Sequence, residues 1–103
     1  MLKPLVSDTF DSTISSLDTA LVLFWADWAS PSVDLFNRLK IVETDIYTVD
    51  IDTYADIAHR CKIVAAPTLH AYKKGKLLGW KVGLIGATTA YLWYLEKINE
   101  SSL

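Results

Sequence analysis

The chain predicts an α/β domain of three layers, with a central mixed sheet of four to five strands and helices on both faces. Three observations carry this expectation. Apolar, β-branched runs alternate with helix-patterned segments, which is the order of β-α-β units and parallel strands. The run Ala20-Leu21-Val22-Leu23-Phe24-Trp25-Ala26 is apolar without alternation, as a strand covered on both faces is. The segment Lys73-Lys74-Gly75-Lys76 reads as a turn between two strands, which closes the sheet with an antiparallel hairpin. Residues 1–103 suffice for one core and form a single domain.

The elements follow in order. Leu2 to Val6 forms a short edge strand, because Pro4 is tolerated only at an edge. Ser7 or Asp8 caps a first helix through about Asp18, with Phe10, Ile14 and Leu17 spaced for one face. Ala20 to Ala26 is the central strand. Ser30 then Pro31 marks a helix start, a capping hydroxyl before a proline whose φ is already helical. Asp34 is expected in its first turn, and Leu35, Phe36 and Leu39 on its apolar side. Asp45 to Ile51 carries β-branched residues and reads as strand. Asp52 is expected to cap a short helix through about Arg60. Pro67 precedes a strand from Thr68 to Tyr72, and Leu77 to Val82 returns as the last one. Gly83 and Gly86 interrupt the chain before a final helix from about Ala87 to Glu100.

Composition narrows the function. The chain is 51% hydrophobic with a mean hydropathy of +0.24, which leaves apolar side chains for a contact surface. A net charge of -2 gives no footprint for nucleic acid. The longest apolar run is far too short to cross a membrane, and Met1-Leu2-Lys3-Pro4 lacks a secretory signal's apolar stretch. Cys61 is the one cysteine, so no internal disulfide forms, which suits a reducing compartment, the cytoplasm. His59 and His70 lie on different elements without a convergent ligand set, so neither a metal nor a cofactor is expected. Asp45, Asp50, Asp52 and Asp56 suit strand ends and helix capping. Lys73, Lys74, Lys76 and Lys81 suit protection of a sheet edge.

Four motifs are specific when taken together. They are Phe24-Trp25-Ala26-Asp27-Trp28 leading into Ser30-Pro31, Val49-Asp50-Ile51-Asp52, Ala66-Pro67-Thr68, and Lys74-Gly75-Lys76 with Val82-Gly83. In this order and spacing the chain resembles the thioredoxin family over nearly its full length. The resemblance implies that the family's two site cysteines correspond to Ala29 and Ser32. A buried carboxylate often found beneath the site corresponds to Leu23, and the lysine that often accompanies it to Thr48. It also implies a cis Ala66–Pro67 bond, and a substrate groove of Trp28, Ala29, Ser30, Pro31, Ser32, Ala66, Pro67 and Gly83. The second helix is shorter than is usual in the family.

Thiol–disulfide exchange needs a thiolate, and neither Ala29 nor Ser32 supplies one. The Ser32 hydroxyl has no histidine near it in sequence and no Gly-x-Ser-x-Gly elbow around it. Cys61 lies beside Arg60 and Lys62, but a lone cysteine is in the first place a small packing residue. Among the aromatics, Trp25 is expected in the core, Trp28 exposed at the site, and Trp80 on an edge strand. Leu92, Leu95 and Ile98 are expected to face inward, leaving Trp93 at the rim as a contact residue. The expected function is a redox-inactive, thioredoxin-like protein-binding, chaperone or assembly module. Its partner is a protein or extended peptide held in the groove. Two alternatives compete. One is a thiol–disulfide oxidoreductase represented by an engineered active-site variant, with Ala29 and Ser32 in place of its two natural site cysteines. The other is a structural complex subunit that binds through the C-terminal helix and Trp93.

Overall fold

The chain runs β1 (Leu2–Pro4), α1 (Phe10–Ser16), β2 (Thr19–Trp25), α2 (Ser30–Leu39), β3 (Ile46–Asp50), α3 (Ala55–Arg60), β4 (Thr68–Lys73), β5 (Lys76–Val82) and α4 (Ala87–Glu100). This computed structural model describes residues 1–101. The strands form one sheet in the order β1-β3-β2-β4-β5. β1 and β2 each run parallel to β3, while β4 is antiparallel to both β2 and β5. The connections fit this mixed sheet: the parallel neighbours β2 and β3 are joined through α2, and the antiparallel neighbours β4 and β5 through a tight turn. In that turn Lys74 and Gly75 both have positive φ, 50° and 81°, as a two-residue primed turn requires.

Strand alternation divides the core in two. Leu21 and Leu23 of β2 and Leu69 and Ala71 of β4 face one side, where they pack with Leu35 and Leu39 of α2 and with α4. Ala20, Val22 and Phe24 face the other side with Tyr72, against Phe10 and Ile14 of α1 and Ile57 of α3. Both sides of β2 are sealed, which is why its sequence does not alternate. Ser7 Oγ donates to Asp56 at 2.7 Å and Arg60 pairs with Asp11 at 2.8 Å, so α1 and α3 are tied to each other across their surface.

The helix starts differ from the expected ones. α1 begins with Thr9 as its N-cap, not Ser7 or Asp8, and ends before Asp18. α2 has Ala29 at its N-cap, with Ser30 and Pro31 already inside the helix. α3 has Tyr54 at its N-cap, and Asp52 does not cap it. Asp50 takes the turn role instead, its Oδ1 accepting from the N–H groups of Asp52 and Thr53. Asp34 lies beyond the first turn of α2 and pairs with Arg38 at 3.1 Å.

α4 departs most. Trp93 is 9% exposed and belongs to the core beside Ala90 and Tyr94, whereas Leu92 is 59% exposed. Residues 90, 93 and 94 share one face at helical spacing, and Leu92 falls opposite them. Gly79 on β5 neighbours the ring: a Cβ there would lie 3.8 Å from Trp93 Cζ2, an ordinary contact distance. Trp93 is therefore a packing residue and not an exposed contact. Trp25 is half-buried rather than sealed, its ring packed at 4.5 Å centroid distance on Phe36.

Two features make the fold testable. Lys62, after α3, has φ 58°. Its N–H bonds the His59 carbonyl at 3.1 Å, and the Ile63 N–H bonds the Ala58 carbonyl at 2.9 Å. This is a left-handed helix ending that favours glycine. Lys62→Gly is expected to raise stability by about 1 kcal/mol, read as a higher midpoint in urea.

His70 is 4% exposed, its ring edge-on to Phe24 at 4.8 Å. Burial lowers its pKa from 6.5 to about 4. The unfolded chain binds this proton first as pH falls, so the stability held above pH 6.5 is lost progressively toward pH 4. The full loss amounts to about 3 kcal/mol. In urea titrations at several pH values, His70→Gln is expected to flatten this slope.

Candidate functional site: the β2–α2 loop and the Pro67 turn

The ends of three strands place the candidate site. Phe24 pairs with Thr68, and Thr68 with Val82, in one row across the sheet. β2 leaves that row into the Ala26–Ala29 loop. β4 enters it from Ala66-Pro67, and β5 leaves it into Gly83. All three connections therefore emerge at the same end of the sheet. The Ala66–Pro67 peptide bond is cis, and the Pro67 carbonyl accepts from the Gly83 N–H at 3.0 Å. Gly83 has φ 103°, a conformation that a side chain would strain even though nothing lies within 4 Å of a Cβ there.

The Ala26–Ala29 loop is held from beneath by Ser32. Its side chain is fully buried. Its Oγ accepts from the Ala26 N–H at 3.0 Å. Its proton goes to the Ala26 carbonyl at 2.6 Å, with the Ala29 carbonyl at 2.8 Å as a second acceptor. The Ala29 N–H closes the turn onto the Ala26 carbonyl at 3.2 Å. One hydroxyl thus fastens the start of α2 to the end of β2. Ser32 shares the inner face of α2 with Leu35 and Leu39, at helical spacing, and that spacing was the one sequence signal of its burial. Leu23 is likewise sealed, between Thr48 on β3 and Leu69 on β4, in the core beneath α2.

The groove residues divide into two groups. Trp28, Ser30 and Pro31 are exposed, with Trp28 at 68%, and Ala66 and Gly83 are half-buried. Ala29, Ser32 and Pro67 are buried, so they give the site its backbone shape and offer a partner no side chain. The chemistry available is backbone hydrogen bonding and an exposed indole. No group here can act as a base for Ser32, whose proton is already bound to carbonyl oxygens. Cys61 lies elsewhere, after α3, and burial pushes its thiol pKa up, with the Tyr72 hydroxyl and Arg60 opposing. Among the described residues no group of three or more His, Cys, Asp or Glu is placed to hold a metal ion. No helix among them is long and apolar enough to cross a membrane.

Ser32→Ala is expected to cost about 1–3 kcal/mol, because the Ala26 N–H is left unpaired in the interior. Ser30→Ala, at an exposed hydroxyl with no capping bond, is expected to change stability by less than about 0.5 kcal/mol. Paired denaturation curves of the two variants check both.

Residues 1–91 match the family model described as Thioredoxin. Thioredoxin-1 of Saccharomyces cerevisiae is 31% identical over 80 residues, covering 72% of this chain and 77% of that protein. Endoplasmic reticulum resident protein 44 of Mus musculus is 33% identical over 89 residues, covering 75% of this chain but 22% of that longer protein. The structure of Malassezia sympodialis thioredoxin superposes with a TM-score of 0.82 at 23% identity, covering 94% of this chain and 90% of that one. The order of elements, the Pro67 turn beside the β2–α2 loop and these matches agree: the chain belongs to the thioredoxin family.

Proposed function

We propose that this protein is a binding module that carries out no thiol–disulfide exchange and holds an extended segment of a partner protein. The segment lies against Trp28 and Pro31 on one side and Ala66 and Gly83 on the other. The observation that carries this reading is Trp28, 68% exposed at the end of the sheet where the cis Ala66–Pro67 turn emerges. A large indole held out in water by a rigid loop is an anchor in search of a pocket. Backbone groups of the Ala66 turn offer strand-like pairing to an extended chain. The reading extends to chaperone or assembly work in a reducing compartment such as the cytoplasm.

Exchange chemistry has no support from the residues at hand. It needs an attacking thiolate and a second thiol to resolve the mixed disulfide. Ala29 has no reactive atom, and Ser32 spends its hydroxyl inside the protein. Cys61 is a single thiol that burial keeps protonated. The reading as an oxidoreductase with replaced cysteines must also account for Leu23 and Thr48, which depart from the family pattern as well. Codons 29 and 32 of the source gene decide between the two. The reading as a subunit docked through Trp93 loses its anchor, because Trp93 packs inside.

The test is affinity capture from the native source with the intact protein and Trp28→Ala. The intact protein is expected to retain partners that the variant binds about tenfold more weakly or loses. Identical retention by both would overturn the groove reading. No reduction of a protein disulfide with dithiothreitol as donor is expected from either.

A further inference from the structure

A second site lies outside the groove, on the face of the sheet that carries α1 and α3. These helices cover β2, β3 and part of β4 but stop short of β5. A cavity of about 380 Å³ opens there. Its floor is Thr68 and His70 of β4. One wall is Trp80 and Val82 of β5, paired opposite them in register. The other wall is the Cys61–Val64 segment that follows α3. The volume lies in the range of sites for small molecules.

His70 presents a buried polar side chain to this mostly apolar space. His70 is 4% exposed, and its Nδ1 lies 3.0 Å from the Tyr72 hydroxyl. We assign that hydroxyl's proton to the ring nitrogen, a better acceptor than the Cys61 sulfur that also neighbours it. In the neutral imidazole the ring proton then sits on Nε2. His70 has no second hydrogen-bond partner among the described residues. No fully buried side-chain nitrogen or oxygen among them lacks a partner, so Nε2 is not sealed in, and His70 lines the cavity. The Thr68 hydroxyl is already committed to the Ala65 carbonyl at 2.7 Å.

We infer that this cavity binds a small apolar molecule bearing one hydrogen-bond acceptor, a ketone or amide oxygen, which the His70 Nε2–H receives while the ring system lies between Trp80 and the Ile63–Val64 wall. A ligand without the acceptor displaces water from Nε2–H and leaves it unpaired, so the site discriminates by that single oxygen. The inference goes beyond the groove reading and does not depend on it. The site is a binding site and not a catalytic one: burial holds the Cys61 thiol protonated and His70 neutral, so no thiolate–imidazolium pair forms.

The test uses indanone and indane, which share one carbon frame and differ by the ketone oxygen. Each is titrated into the isotope-labelled protein and followed by NMR at His70, Trp80 and Ile63. Indanone is expected to shift all three saturably and to bind about tenfold more tightly than indane. His70→Phe is expected to bring the two affinities together. Val64→Glu, at a residue 94% exposed and therefore safe for folding, is expected to weaken both probes. Trp28→Ala is expected to leave both unchanged, which separates this site from the groove. Equal affinity for the two probes in the unaltered protein, no saturable shift with indanone, or loss of indanone binding on Trp28→Ala would each overturn the inference.

Discussion

The buried hydroxyl of Ser32 is the interaction on which the site end of this protein depends. It reaches back from the first turn of α2 to both backbone groups of Ala26, at 3.0 and 2.6 Å. Three consequences follow. α2 is aimed so that Leu35 and Leu39 drop onto Leu23 and the rest of that core. The backbone at the end of β2 is satisfied although the strand has left the sheet. The residues between Ala26 and Ala29 have nowhere to go but outward, which puts Asp27 and Trp28 in water. A polar group so well paired in the interior is structural, and pairing costs it the freedom that a nucleophile needs.

Both candidate sites follow from the coverage of the sheet. β2 lies at its middle, sealed above and below, and its end aligns with the start of β4 and the end of β5. That alignment gathers three loops into one place without any specific contact between their side chains. β5 is an edge strand with one flank uncovered, and Trp80 and Val82 remain exposed there. The cavity beside His70 results from two short helices on a five-stranded sheet. Neither place holds an ionised group in the interior. In the roles we propose, both would recognise through shape, apolar contact and single hydrogen bonds.

Much of this was legible in the sequence, because strands and turns announce themselves locally. The unbroken apolar run of β2 and the Lys74-Gly75 turn each act over a few residues, and both stand where the pattern put them. Helix starts were less legible. Ser7, Ser30 and Asp52 have capping side chains, yet α1, α2 and α3 begin after Thr9, Ala29 and Tyr54, none of which makes a side-chain cap bond. In α2 the buried hydroxyl of Ser32, inside the first turn, bonds backward to Ala26 rather than to the helix's own N–H groups. The inner face of α4 was misread because Leu92 and Trp93 are adjacent and both apolar. The choice between them is set by packing on the sheet, where Trp93 joins Leu69 and Ala71 of β4 in the core. Long-range complementarity of that kind leaves no local trace.

This chain keeps the thioredoxin frame, and in our proposal it lacks the environment for exchange chemistry. The most direct measurement is disulfide-reductase turnover of Ala29→Cys/Ser32→Cys in a Cys61→Ser background, beside thioredoxin-1 of Saccharomyces cerevisiae. The account predicts that the new pair oxidises to a disulfide, since the α2 start holds the two positions one helical turn apart. It predicts that turnover stays well below that of the yeast protein, with mixed disulfides accumulating. Leu23 offers no proton acceptor to the buried thiol at position 32, and burial beside two carbonyl oxygens holds that thiol protonated. Turnover equal to that of the yeast protein would contradict the account, because the environment for exchange would then be intact and only the sulfur atoms missing.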